Sequence, residues 1–273
     1  ANQDKINWDQ LSSNPNAIHL LEANLERINW KSLSSNPNAM HLLEFELQTK
    51  PNANHLLEAN PNSDLDEIEN AFHPLVKKVV PNSIFLNKEH NFLFLTGANM
   101  AGKSTFIKTI GVGVYLAHIG IGVPATKAVI SFFDGLITNL NISDNILKGE
   151  SYFYNEVQRI KKTVQQVNTG EHYCVLIDEL FKGTNIIDAM KCSTIVVEGL
   201  QKVHSSLFVL STHLYEISEK IEHHKNIDFK YFETKVQGNE LSFQYTLKEG
   251  VSQDRIGYLI LEREGVVQLL QSH

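Results

Sequence analysis

Apolar residues along this chain follow two rhythms. From about residue 66 onward, short apolar runs alternate with longer stretches whose apolar positions recur at helical spacing. Phe92–Thr96, Cys174–Ile177 and Leu207–Ser211 have strand length and lead into polar residues, the pattern of strands buried between two layers, and Ile84–Leu86 is a shorter strand candidate. Lys103–Ala117, Ser151–Val167, Ile187–Val203 and Leu214–Glu222 read as helices. Strands alternating with helices predict an α/β fold with a mostly parallel sheet flanked by helices. The stretch TKVQGNELSFQYTLKEG reads as a hairpin turning at Gly238–Asn239.

The other rhythm is a repeat. INWDQLSSNPNAIHLLEANLER starts at Ile6 and INWKSLSSNPNAMHLLEFELQTK at Ile28, so Trp8 and Trp30, Pro15 and Pro37, and His19 and His41 fall 22 residues apart. A shortened third copy, PNANHLLEAN, begins at Pro51. Near-identity at a fixed period predicts a stacked array of small units. Asn14 and Asn36 suit helix caps, with Pro15 and Pro37 at the first helical position. The LL pairs and tryptophans supply an apolar stripe. The histidines at 19, 41 and 55 recur because the unit recurs, so they carry no metal argument. These expectations divide the chain into a small N-terminal all-α repeat segment, 1–62, and an α/β domain, 63–273. The repeats are similar to tandem repeats of some large DNA virus proteins, and they would suit a protein partner.

Composition narrows the picture little. The 273 residues suffice for one large domain, or a medium domain and a small one. No apolar run is long enough to span a bilayer, and no basic-then-apolar leader is visible, so the reading is cytoplasmic with no membrane partner. Cys174 and Cys192 read as reduced core thiols. A formal charge of −7 argues against a strong autonomous grip on nucleic acid, which needs a lysine and arginine surface. His223 and His224 sit in the polar turn EHHKN with no second spaced pair, which reads as a solvated loop.

The candidate chemistry begins where the run FLFLT ends. Gly97, four residues, then Gly102, Lys103 and Ser104 form the phosphate-loop pattern, between a strand and a helix. Glycines let backbone amides meet phosphate oxygens, Lys103 brings a cation to the outer phosphates, Ser104 can ligate magnesium, and the helix points its positive end at the same place. Such a pattern defines a P-loop NTPase. The run CVLI ends in two acids, Asp178 to hold magnesium and Glu179 to polarise the attacking water. LFVLSTH puts His213 at the end of another apolar strand, where it can donate to a γ-phosphate. In SDNILKGESYFYNEVQRI, Gly149 and Ser151 sit at a helix start, an anion site that need not serve its own nucleotide, and Glu156 follows in that helix.

With these pieces in order, residues 66 to 270 resemble the MutS family of DNA mismatch-repair ATPases, of the ABC class. TGANMAGKST resembles that family's TGPNMGGKST, GVPA its VPA stretch, DNILKGESYF its DDLxxGxSTF signature, IDELFKGTN its MDEIGRGTS, and STH its ATH. HPLV and VVPNSIFL resemble its HP and PND segment. The resemblance implies an ATP- and Mg-dependent ATPase. Gly97, Asn99, Gly102, Lys103, Ser104 and Thr105 would hold phosphates and magnesium, Asp178 would position the metal, and Glu179 would activate water. His213 would sense the γ-phosphate, Ser151 with Gly149 would act across a head-to-tail homodimer, and Val80, Pro81 and Asn82 would lie near the adenine. Ala98 and Ala101 replace a proline and a glycine, and Asn139 stands where many relatives carry arginine. The family's mismatch-reading and lever segments do not fit before residue 66, so DNA contact is expected only through the resemblance. A transporter-type ATPase would predict an LSGGQ-like signature where this chain has GESYF. The alternative to an enzyme is a repeat-based interaction scaffold carrying a vestigial ATPase fold.

Overall fold

The computed structural model describes residues 7–12, 14, 17, 20–21, 24, 57–58, 65–140, 152–237, 240–252 and 256–271. Within 1–62 these show helix α1 (Trp8–Ser12), helical positions at Leu20 and Leu21 with Leu21 buried and Leu20 exposed, and a two-residue strand β1 (Leu57–Glu58) in the third repeat copy; the second copy lies outside the described residues. The α/β part is built on two sheets. A small sheet has the order β1, β5 (Lys127–Val129), β2 (Leu65–Ala71), β3 (Asn82–Asn87). The main sheet has six strands in the order β10 (Glu240–Glu249), β9 (Ile227–Gln237), β4 (Phe92–Gly97), β8 (Leu207–Ser211), β7 (Tyr173–Asp178), β6 (Gly135–Asn139). All its pairings are parallel except the hairpin β9–β10.

The unbroken apolar runs follow from burial on both faces. In β4, β7 and β8 every residue is buried. Because successive side chains point to opposite faces, Leu93, Leu95, Leu176 and Val209 pack into one core with α2 (Lys103–His118) and the small sheet. Phe92, Phe94, Val175, Phe208 and Leu210 pack into a second core with α3 (Tyr152–Val167) and α4 (Ile186–Leu200). Removing each such side chain from water contributes about 1.5–3 kcal/mol. Helix α2 comes very close to the sheet at Gly111, where an added Cβ would stand 2.8 Å from Leu176 Cδ1.

The predicted helices appear within a few residues, except that 214–222 is a 3₁₀ turn (Tyr215–Ile217) followed by the short α5 (Ser218–Ile221). The hairpin also appears, its Gly238–Asn239 turn lying outside the described residues. Helices α6 (Gly257–Arg263) and α7 (Val266–Gln271) close the described chain with no buried residues. Cys174 is buried, Cys192 is half-buried, and neither is bridged; burial pushes the Cys174 thiol up, keeping it protonated. No helix among the described residues is long and apolar enough to cross a membrane.

Candidate functional site

Sheet register brings the candidate residues together. Leu95 of β4 and Asp178 of β7 both pair with Ser211 of the strand between them. The loops leaving β4, β7 and β8 therefore emerge side by side at the C-terminal edge of the sheet. Ser211 cross-links them: its carbonyl accepts from Glu179 N at 2.9 Å, and its hydroxyl donates to Asp178 Oδ1. Thr212 N donates to the Leu95 carbonyl at 2.9 Å.

The β4–α2 turn has the backbone its sequence predicts. Gly97 has φ 138°, and a Cβ there would meet the Phe232 carbonyl oxygen at 3.2 Å, so the residue must be glycine. Gly102, at φ 112°, caps α2. Ala98 and Ala101 are buried and outside the positive-φ region, so neither replacement strains the turn. Lys103 Nζ lies within the loop, donating to the carbonyls of Gly97 at 2.7 Å and Ala98 at 3.1 Å. Burial lowers the Lys103 pKa, and Glu179 and Asp178 oppose that shift. Asn99, Ser104 and Thr105 are exposed at the mouth of the turn.

Glu179 is held in a left-handed conformation, φ 61°, as is Phe181 at 57° and Met100 at 68°. Such conformations cost about 1–3 kcal/mol each and gather where surrounding structure imposes them. The Glu179 carboxyl lies 3.7 Å from His213 Nδ1 and 2.8 Å from Lys182 Nζ. His213 first, then Lys182, hold its pKa down to about 2 against burial. At 3.7 Å the His213 contact is too long for a hydrogen bond. Burial pulls the Lys182 pKa down, but the Glu179 carboxylate outweighs it and the net shift is upward.

Two clefts flank the turn. The larger, of about 600 Å³, runs from Gly102 and Thr105 to Phe72, His73, Val80 and Tyr245. Val80 and Asn82 line it, and Pro81 is exposed between them. Asn82 also has a structural duty that the sequence does not reveal. Its Nδ2 donates to the Tyr245 carbonyl at 2.9 Å and its Oδ1 accepts from Leu247 N at 2.7 Å. It thus fastens a bulge of β10 in which Tyr245 has φ 54°. The smaller cleft, of about 410 Å³, joins Gly97, Ala98, Asn99 and His213 to α6.

Among the described residues no group of three or more His, Cys, Asp or Glu forms a metal cluster. A magnesium ion bound with phosphate oxygens and waters needs only one or two protein oxygens. The exposed Ser104 hydroxyl and Asp178 Oδ2, which Ser211 leaves free on the carboxyl it binds through Oδ1, are donors of that kind. Gly149 and Ser151 lie outside the described residues. Asn139 is buried and donates to Thr163 on α3 at 3.0 Å, so it faces the helix layer. Sequence reasoning did not single out Tyr245, Phe72 or His73 for the larger cleft, and it gave Glu156 no partner. Glu156 is buried, accepting from the backbone N–H groups of Lys182 and Gly183, each at 3.0 Å.

A glycine-bearing turn between strand and helix, at the C-terminal edge of a mostly parallel sheet, defines the phosphate-loop nucleotide-binding class. Residues 93–269 match the family described as MutS domain V, and the chain belongs to that family, whose domain V is an ATPase domain. It is 31% identical over 194 residues to the DNA mismatch repair protein MutS of Pseudothermotoga lettingae, covering 70% of this chain and 24% of that protein. It is 30% identical over 204 residues to the MutS of a Geobacillus species, covering 71% and 23%. The MutS of Borreliella afzelii is 31% identical over 206 residues, covering 73% and 23%. The chain spans about a quarter of the length of the curated relatives it matches.

Proposed function

We propose that this chain binds and hydrolyses ATP with magnesium, as the nucleotide-gated dimerising module of a MutS-type protein acting in mismatch repair or a related DNA transaction. The observation that carries the reading is the convergence of the Gly97–Thr105 turn, Asp178, Glu179 and His213 on one sheet edge. The turn's amides and Lys103 receive the phosphates. The larger cleft beside Gly102 takes the adenine, with Tyr245 and Phe72 as apolar walls. Ser104 and Asp178 would hold magnesium, which neutralises charge on the outer phosphates when bound. Glu179, kept ionised by His213 and Lys182, accepts a hydrogen bond from water and aligns it with the γ-phosphorus. Water then forms the new P–O bond as the bond to the ADP oxygen breaks, and its proton leaves towards the carboxylate. A carboxylate of low basicity suits this step, because a loose phosphoryl-transfer transition state requires alignment more than early proton removal. His213 faces the same space and senses the γ-phosphate. Gly149 and Ser151 complete the site across a head-to-tail dimer.

Steady-state ATP hydrolysis measured against protein concentration tests this, with Ser151→Ala as control. Activity per chain that rises with concentration and falls without Ser151 is expected. A flat, Ser151-independent rate refutes the composite site, and absence of turnover at every concentration refutes the ATPase reading.

A further inference from the structure

Helix α3 is joined to the loop behind Glu179 by an unusually close contact made from both sides. From the helix side, Glu156, 2% exposed, spreads its two carboxyl oxygens over consecutive amides: Oε1 accepts from Lys182 N and Oε2 from Gly183 N, each at 3.0 Å. From the loop side, Gly183 lies against the first turn of α3. An added Cβ would stand 2.6 Å from Tyr152 Cδ1 and 2.7 Å from the Phe153 backbone nitrogen, and backbone cannot move aside cheaply. The Phe153 and Phe181 rings, with centroids 5.7 Å apart, fill the space between. Lys182, whose amide Glu156 holds, is the residue whose ammonium bonds the Glu179 carboxyl at 2.8 Å. Ser151 directly precedes α3 in the chain.

We infer that Glu156 is a positioning residue: it locks the loop carrying Glu179 and Lys182 to α3, so that the catalytic carboxylate is aligned according to where α3 stands. The inference rests on the ATPase reading above and adds to it a mechanical link. Movement at the start of α3 reaches Glu179 through the Lys182 and Gly183 amides, with no change in the phosphate loop. The fork geometry matters, since a side chain accepting only one of the two bonds leaves the loop free to pivot about that bond.

Two substitutions load the joint from opposite sides in the full chain. Glu156→Gln keeps the shape but turns an amide NH₂ towards one of the two N–H groups. Gly183→Ala wedges the loop off the helix. For both we expect kcat to fall about 10- to 100-fold, the effect of a misplacement on the ångström scale, while KM and ATP affinity stay within about threefold, because ground-state binding is untouched. Amide hydrogen exchange over residues 179–185 should speed up in Glu156→Gln. Unchanged kcat in both variants overturns the inference. So does a parallel loss of kcat, ATP affinity and thermal midpoint, which would give Glu156 a folding role only. If the parent chain itself turns over no ATP, the ATPase reading fails separately. The joint is then judged by exchange: faster exchange spreading to Glu179 in Glu156→Gln supports it, and unchanged exchange overturns it.

Discussion

Replacing Asn82 with alanine removes a side chain that ties β3 to the bulge of β10. Two cross-sheet bonds go, to the Tyr245 carbonyl at 2.9 Å and from Leu247 N at 2.7 Å. At about 0.5–1.5 kcal/mol for each neutral hydrogen bond, the loss is about 1–3 kcal/mol. For a domain of this size that corresponds to a fall in Tm of roughly 2–12 °C. Tyr245 sits at φ 54°, a conformation its own backbone does not favour, and Asn82 is part of what imposes it. Once released, Tyr245 should leave the wall of the 600 Å³ cleft proposed for adenine. The KM for ATP should then rise about tenfold, equivalent to about 1.4 kcal/mol of binding, with kcat little changed because binding is lost equally from ground and transition states. Asn82→Asp sharpens the test. It keeps the acceptor for Leu247 but sets a second oxygen against the carbonyls of Val80 and Tyr245. It should therefore damage stability and KM at least as much as alanine does. Urea denaturation and steady-state kinetics on the two variants suffice. If Asn82→Asp matches the parent in both, the hydrogen bonds do not hold the bulge and the cleft is not shaped this way.

Two further outcomes follow from the same geometry. Glu179→Gln should abolish turnover while ATP binding persists, because its amide cannot accept the proton released by the attacking water; normal hydrolysis by this variant would remove Glu179 from the proposed role. Gly97→Ala should lower stability by about 1–3 kcal/mol in urea denaturation, since φ 138° is closed to alanine and the new Cβ would press on the Phe232 carbonyl; a parent-like midpoint would refute that account.

Much of the site was legible because each piece is local. Gly97 through Thr105 carry their own geometry: glycines where φ is positive, a lysine and hydroxyls where a helix begins. Asp178 and His213 were visible as polar ends to apolar runs. Ala98 and Ala101 looked like departures, and only the backbone angles showed that neither position has a positive φ. Strands β2 and β5 were missed for a physical reason. The strand LDEIENA carries four acidic or amide side chains, and Lys127–Val129 has only three residues, so neither forms an apolar run. The stretch 214–222 keeps its helical spacing, with Leu214, Ile217 and Ile221 buried, yet it folds as a 3₁₀ turn and one short helix rather than a single helix.

The sequence alone determined which segments are buried between layers, where the glycine-bearing turn lies, and which acids end their strands. Those properties are set by the residues of one segment, through burial periodicity and backbone freedom. Tertiary structure decided that β4, β8 and β7 are neighbours in a register placing Leu95, Ser211 and Asp178 side by side. It also decided that Asn82 shapes a cleft with Tyr245, 163 residues away, and that Glu156 grips Gly183, 27 residues away. Such contacts depend on how whole elements stack and which strands pair. No single stretch of chain carries that choice; it emerges only when both cores close around the sheet.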